Sequence, residues 1–369
     1  MEWGTDVATD IETTPGAPAH AAARPFRAGF AAISVAPGEL GQLAGALEEN
    51  GYQELVVSET RHDPFVSLTV AAGGSRSVAL RSGIAVAFAR NPMSTAMLAN
   101  DLQTLSGGRF TLGLGTQLKA HITKRFGMPW SAPVARMREY VQALRAIWHS
   151  FETGERLRFR GEFYRHTLMV PFFDPGPNPH GWPPVVLGGV GEAMTEMAGE
   201  VADGFVAHNI TTPRFLTEVT LPALRRGRER AGRDMADFEL HLTPMVATGR
   251  TEEEYQRAVA STRSQLAFYV AAPTYASILE LHGLGEVRDE LHRLASEGRA
   301  DEMPSVIDDS VLRTFAFVGE AEDVARQLHD TYAGHATSLS FYEPNVTDPH
   351  RWLPLIRRLR EIDTAERAG

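Results

Sequence analysis

Five consecutive residues, Glu59-Thr60-Arg61-His62-Asp63, put an imidazole beside two carboxylates and a guanidinium, just ahead of Pro64. An imidazole gives or takes a proton near neutral pH, a carboxylate beside it fixes its tautomer, and a guanidinium holds an anionic or carbonyl oxygen. His62 is therefore the candidate proton carrier, with Glu59 or Asp63 to orient it and Arg61 to hold oxygen. Glu343, in "FYEP", is the fallback acid. The same residues also suit an ion-paired loop in which Asp63-Pro64 opens a helix.

A second candidate is "LGGVGEA", where Gly188, Gly189, Val190 and Gly191 precede a helical pattern. Free backbone N–H groups and the helix dipole would converge there, and a phosphate is the natural guest. The stretch is neither a Walker loop nor a full G-x-G-x-x-G. A third is "LSGGRFTLGLGTQLKAHITKRF". Gly107-Gly108 is a turn signal, Arg109 to Leu114 a short buried strand, and Gly113 and Gly115 mark its end. Thr116, Gln117 and His121 follow at what would be the mouth of a ligand site. His62 and His121 lack the spacing of metal ligands. Arg225, Arg226, Arg228 and Arg230 read as a solvated helix end. Phe172 and Phe173 suit either a pocket wall or packing beneath a loop.

These groups need a scaffold. From Phe26 onward, short apolar strands alternate with helical patterns. Leu40, Leu43 and Leu47 recur at helical spacing before Gly51, and Val134, Met137, Val141, Leu144 and Trp148 do the same later. Third and seventh strands are expected in "VALRSGIAVAFA" and "FELHLTPMVAT", and a further one in "TFAFVG". Alternation this regular implies a parallel sheet, and eight units fit a TIM (β/α)8 barrel better than an open doubly wound sheet. The domain is expected over residues 26–369, with insertions near 152–183 and 251–310. Residues 1–25, acidic and then Ala/Pro/Thr-rich, read as a flexible arm without signal-peptide features.

Composition narrows the function. The chain has 369 residues and a formal charge of −10, which argues against nucleic-acid or anionic-membrane partners. It has no cysteine, so disulfides, thiolate catalysis and cysteine-ligated metal are excluded. No apolar run reaches transmembrane length, and a cytoplasmic location is the expectation.

In chain order, "GYQELVVSETRHDPF", "RSGIAVAFARNP", "LSGGRFTLGLGTQLKAHITKRFGMPWSAPVARMREYVQALRAIW" and "LGGVGEAMTEMAGEVADGF" resemble the luciferase-like flavin and deazaflavin oxidoreductases. The closest likeness is to the branch that uses coenzyme F420. The resemblance implies a TIM barrel with its cofactor at the C-terminal ends of the strands. It implies a non-prolyl cis peptide in the third strand, by position at Gly83-Ile84, with Ala85 beside the cofactor ring. The phosphate would lie on Gly188, Gly189, Val190 and Gly191. Thr116, Gln117, His121 and His208 complete the cofactor set, and the glycines of the fourth strand would let a flat heterocycle lie against its end.

The implied activity is hydride transfer between the deazaflavin and a small organic C=C, C=N or C=O/alcohol substrate, by a homodimer. An FMN-dependent monooxygenase and a non-catalytic deazaflavin-binding barrel are the alternatives. Two departures stand out. Where the sugar-phosphate dehydrogenases of this superfamily carry a catalytic glutamate, this chain has Leu118, and where luciferase-like monooxygenases carry adjacent histidines it has Thr60 and Arg61.

Overall fold

A computed structural model describes residues 26–343 and 346–368, so the arm expected over residues 1–25 lies outside the described residues. Eight parallel strands close a barrel among them: β1 (Arg27–Ala32), β2 (Glu54–Val57), β3 (Ala79–Ser82), β4 (Phe110–Gly115), β5 (Val185–Gly189), β6 (Gly204–Ala207), β7 (Glu239–Leu242) and β8 (Ser338–Phe341). Neighbours pair in chain order, and β8 returns to β1 with Arg27 opposite Ser338. Around the strands run α1 (Leu40–Glu49), α2 (Pro64–Gly74), α3 (Pro92–Leu105), α4 (Pro133–Thr153), α5 (Glu192–Val201), α6 (Leu221–Arg230), α7 (Glu252–Val270), α8 (Ala321–Tyr332) and α9 (Leu353–Ala368). None of the described helices is long and apolar enough to cross a membrane.

The helices form where the apolar spacing places them. Leu40, Leu43 and Leu47 of α1 are buried, each worth about 2 kcal/mol, and Gly51 follows in the left-handed region at φ 77°. In α4, Met137, Tyr140, Val141, Leu144 and Trp148 face the barrel. The Trp148 indole N–H donates to the Ala96 carbonyl of α3 at 3.0 Å. The next helix boundary is cut by side chains: Asn91 caps α3 by accepting from the Ser94 amide, with Pro92 in the first turn.

Two expected strands come out differently. "FELHLTPMVAT" divides at Pro244, which has no N–H to give a ladder. Its second half, Met245–Ala247, leaves the barrel and pairs in parallel with Ala316–Val318, the strand expected within "TFAFVG". The third strand stops at Ser82, and Ala85–Val86 resumes pairing with β4 beyond a cis Gly83-Ile84 peptide, at the position the family resemblance implied.

Two segments elaborate the barrel. Phe159–Arg160 and Arg165–His166 form an antiparallel hairpin, held to α4 by Glu139, which accepts from the amides of Glu162, Phe163 and Tyr164. Between β7 and β8, α7 and the short helices after it bury a second core. That core contains Met245, Leu266, Ile278, Leu291, Ile307, Leu312 and Tyr342. It lies over the C-terminal ends of β6, β7 and β8, where barrel enzymes carry their sites.

The lower barrel interior is not apolar. Arg81 grips Glu54 through Nε and a terminal nitrogen at 3.1 and 3.0 Å. Ser338 donates to the same carboxylate at 2.9 Å and meets His241 Nδ1 at 2.7 Å. His241 Nε2 faces Glu239, which pairs with Arg27 at the barrel's rim. Arg81 holds the Glu54 carboxyl far below the ordinary range despite its complete burial. Burial and Arg81 push the His241 imidazolium down, so that ring is neutral.

Candidate active site

At the C-terminal end of β2, Glu59 does not face His62. Its carboxylate accepts from the Val86 amide at 2.7 Å and from Arg90 at 2.6 Å. Asp63 caps α2 by accepting from the Phe65 and Val66 amides, and it takes the other end of the Arg90 guanidinium at 2.6 Å. Arg90 also lies over the Phe65 ring, 5.3 Å from its centroid. One guanidinium thus straps the loop after β2 to the segment after β3. The expected orientation of His62 by Glu59 or Asp63 is corrected accordingly: a planar fork matches two carboxylates better than an imidazole does. His62 and Arg61 stand exposed at the rim, with no hydrogen-bond or ion-pair partner among the described residues.

The loop itself is well tied. Thr60 donates to the Ile33 carbonyl at 2.7 Å, and Arg125 donates to the Thr60 carbonyl at 2.8 Å. Arg125 closes a single π-helical turn, His121–Arg125, so the ends of β2 and β4 are bridged. At the end of β4, Gln117 adopts φ 60°, and its side-chain oxygen accepts from the Leu118 amide. Thr116 donates to the Gln117 carbonyl, while Leu118 and His121 are exposed.

The glycines of β4 have a different reason from the one expected. A Cβ on Gly113 would lie 1.8 Å from the Ser82 carbonyl oxygen. One on Gly115 would lie 2.9 Å from the Ile84 side chain, and one on Gly188 3.0 Å from it. These glycines make room for the Ser82–Ile84 backbone and the Ile84 side chain, not for a heterocycle directly. Ile84 is thereby seated between β4 and β5, beside the turn that leads to α5.

That turn runs through Gly188, Gly189, Val190 and Gly191 into the first turn of α5. Gly191 is the N-cap of α5 and carries no side-chain cap. A Cβ there would meet nothing within 4 Å. As at any helix start, the first amides of α5 have no partner within the helix. Glu192, the acid in the first turn, is drawn away by Arg226, which also holds Glu196 at 3.1 Å. Arg226 and Arg230 of α6 are thus ion-paired with Glu192, Glu196 and Glu200 of α5, whereas Arg228, expected at a solvated helix end, is buried and donates through Nε to the Asp234 carbonyl at 2.6 Å. Residues of this turn fit the phosphate of a flavin-type cofactor.

Across the mouth, His208 and Asn209 follow β6 while Tyr342 and Glu343 follow β8. Glu343 is ion-paired with Arg351 at 2.7 Å and half-buried, and burial raises its carboxyl against the pull of that arginine. His208 was read from the sequence as a cofactor contact; its Nε2 lies 3.0 Å from the Tyr275 hydroxyl, and its ring meets Tyr269 edge-on at 5.1 Å. Burial lowers it to about 4, so the imidazole is neutral. Tyr269 reaches Tyr342, hydroxyl to hydroxyl, at 2.9 Å. Sequence reasoning missed Tyr269 and Tyr275, and it gave Arg90, at the end of the third strand in "FARNP", no role. Phe172 and Phe173 are exposed, at 88% and 68%, and their rings meet edge-to-face at 5.1 Å.

Residues 11–338 match the family model described as luciferase-like monooxygenase. An uncharacterized protein of Mycobacterium tuberculosis is 50% identical over 79% of this chain and 86% of its own length. An F420-dependent glucose-6-phosphate dehydrogenase of Nakamurella multipartita is 31% identical, covering 72% of this chain and 80% of the relative. The coenzyme F420-dependent tetrahydromethanopterin reductase of Methanopyrus kandleri has the same fold, with a TM-score of 0.76 at 20% identity over 90% of this chain and 97% of that one. The closed parallel barrel and these likenesses agree, and the chain belongs to the luciferase-like family, among relatives that are F420-dependent oxidoreductases.

Proposed function

We propose that this protein is a coenzyme F420-dependent oxidoreductase that moves a hydride between the deazaflavin and a small organic substrate. The observation that carries the reading is the uncapped Gly188–Gly191 turn. It leaves the α5 amides open at the barrel mouth, beside the seat of Ile84. The F420 dependence stated for the 31% relative supports the choice of cofactor.

Gly188, Gly189, Val190 and Gly191 would hold the phosphate. Gly83, Ile84 and Ala85 would back the ring, with Thr116, Gln117 and His121 at the β4 end along its side chain. Bound there, a deazaflavin supplies hydride chemistry and reacts poorly with oxygen, because carbon replaces the flavin nitrogen 5. The chain orients the ring, excludes water and moves one proton. His62 is the proton carrier of this proposal, since its ring is free of protein partners while Glu59, Asp63 and Glu343 are each held by an arginine. His62→Ala should lower turnover about 10²-fold with F420 affinity unchanged; undiminished turnover removes that role.

The family's monooxygenase description favours one rival, FMN, whose phosphate the same turn would accept. Fluorescence quenching with F420 and with FMN separates the two. F420 should bind at least tenfold more tightly, and a preference for FMN moves the protein to oxygen chemistry. We further propose a homodimer. Helix α2 is apolar all round, and it leaves Val66 and Val70 exposed beside Met97 and Leu98 of α3. Sedimentation at micromolar concentration should give twice the monomer mass, and a monomer overturns the proposal.

A further inference from the structure

Two phenols of the inserted segment reach down to the barrel. Tyr275, just beyond α7, meets His208 after β6 at 3.0 Å. Tyr269, near the end of α7, meets Tyr342 after β8 at 2.9 Å. The two rings lie with centroids 6.1 Å apart, and His208 contacts both.

Proton bookkeeping follows from the partners. The Ile210 amide donates to His208 Nδ1 over a long 3.4 Å, which assigns the imidazole proton to Nε2. Nε2–H then donates to the Tyr275 oxygen, and the Tyr275 proton is left without an acceptor among the described residues. In the Tyr269–Tyr342 pair, two hydroxyls hold two protons and share one hydrogen bond, so again one proton is uncommitted. The Asn209 amide approaches the Tyr342 hydroxyl. Asn209 is 8% exposed, and its Oδ1 is buried without a hydrogen-bond partner among the described residues. A buried acceptor left unpaired is costly, so it marks where a ligand donor belongs.

The charge around these groups is also defined. Glu343 is ion-paired with Arg351, His208 carries no proton beyond its one, and no cation among the described residues hydrogen-bonds to any of the four rings. The cluster offers donors to an oxygen and an acceptor to a hydroxyl, walled by aromatic faces, and nothing to balance a phosphate or carboxylate.

We infer that Tyr269, Tyr275 and Asn209, set by Tyr342 and His208, form an oxygen clamp that selects uncharged carbonyl compounds and their alcohols as substrates. The inference rests on the proposed hydride chemistry for its meaning, though the clamp is a property of the cofactor-free chain. Tyr269 and Tyr275 contact the ligand oxygen; His208 and Tyr342 are positioning residues. Sugar phosphates are poor ligands for the same reason that ketones are good ones.

The test is binding of acetophenone and of 1-phenylethanol to the cofactor-free protein by ligand-observed NMR titration, with glucose 6-phosphate as the charged comparison. Tyr275→Phe and Tyr269→Phe should each weaken acetophenone binding about 3- to 10-fold, and the double variant more than tenfold. His208→Gln, which keeps a donor near Tyr275, should recover most of what His208→Leu loses. F420 binding, followed separately by quenching, should be unchanged in the three tyrosine variants. Equal acetophenone binding by wild type and the double variant overturns the clamp, as does tighter binding of glucose 6-phosphate than of acetophenone. Failure of wild type to bind F420, with tyrosine-dependent ketone binding intact, sinks the cofactor reading and upholds the clamp.

Discussion

Gly113→Ala should damage the barrel at one definable place. The added carbon would stand 1.8 Å from the Ser82 carbonyl oxygen and 3.4 Å from Val186 Cγ2. A non-bonded carbon and oxygen rest at about 3.3–3.6 Å, so β3 and β4 must part by about 1.5 Å. Backbone cannot rotate away as a side-chain tip can. The separation also stretches two hydrogen bonds: the Ser82 hydroxyl donates to the Gly113 carbonyl at 2.8 Å and accepts from its amide at 2.9 Å.

Overpacking costs about 1–3 kcal/mol, and each lost bond about 0.5–1.5. The total, about 2–6 kcal/mol, is a large part of a typical folding free energy. Urea unfolding should show a lower midpoint with an unchanged slope. Because Ser82 leads directly into Gly83 and Ile84, F420 affinity of the remaining folded protein should fall as well. Ser82→Ala, which removes the bonds without adding bulk, should cost only about 1–3 kcal/mol. A Gly113→Ala protein that unfolds at the wild-type midpoint would refute the close-approach argument, and with it the account of why β4 ends in glycines.

Two further outcomes follow from the charges. Glu54→Gln leaves Arg81 buried opposite a neutral amide and should lower the unfolding free energy by about 3–5 kcal/mol, measured in urea at pH 7. Glu54 is held below its ordinary value, so its stabilisation is present above about pH 4.3 and is lost as pH falls. His241 is held low as well, so its charging opposes folding once pH drops below about 6.5. Wild-type Tm should therefore decline from pH 7 to pH 5 and fall further below; a flat profile contradicts the neutral-histidine assignment. At the glycine turn, Gly191→Asp should bind F420 about tenfold or more weakly through charge repulsion, yet keep or raise Tm because aspartate is a better N-cap than a bare glycine. Loss of both affinity and stability would mean the turn is structural rather than an anion site.

What could be read beforehand divides by how far along the chain a partner lies. The barrel was legible because strand–helix alternation is a local pattern, repeated, and closure follows once eight units exist. The glycine turn from β5 into α5 was legible for the same reason: strand, glycines and helix start are consecutive. Proximity in sequence misled at the rim, where His62 was matched to its neighbours Glu59 and Asp63. The partner that claims both carboxylates, Arg90, lies 31 residues beyond Glu59 on the next loop. Gly113 and Gly115 announced that no side chain could fit, but the obstacle belongs to β3, and a sequence names the need for space without naming the occupant. Glu54 and Arg81, 27 residues apart, offered a subtler signal. Each is a charged residue inside a short strand that is otherwise apolar and buried, and a charge placed there must find its opposite across the barrel. Tyr269 and Tyr275 carried no comparable signal, since their phenols acquire meaning only when the insertion folds over β6 and β8. The scaffold was thus set by local pattern, whereas the chemistry of the mouth is set by which loop meets which.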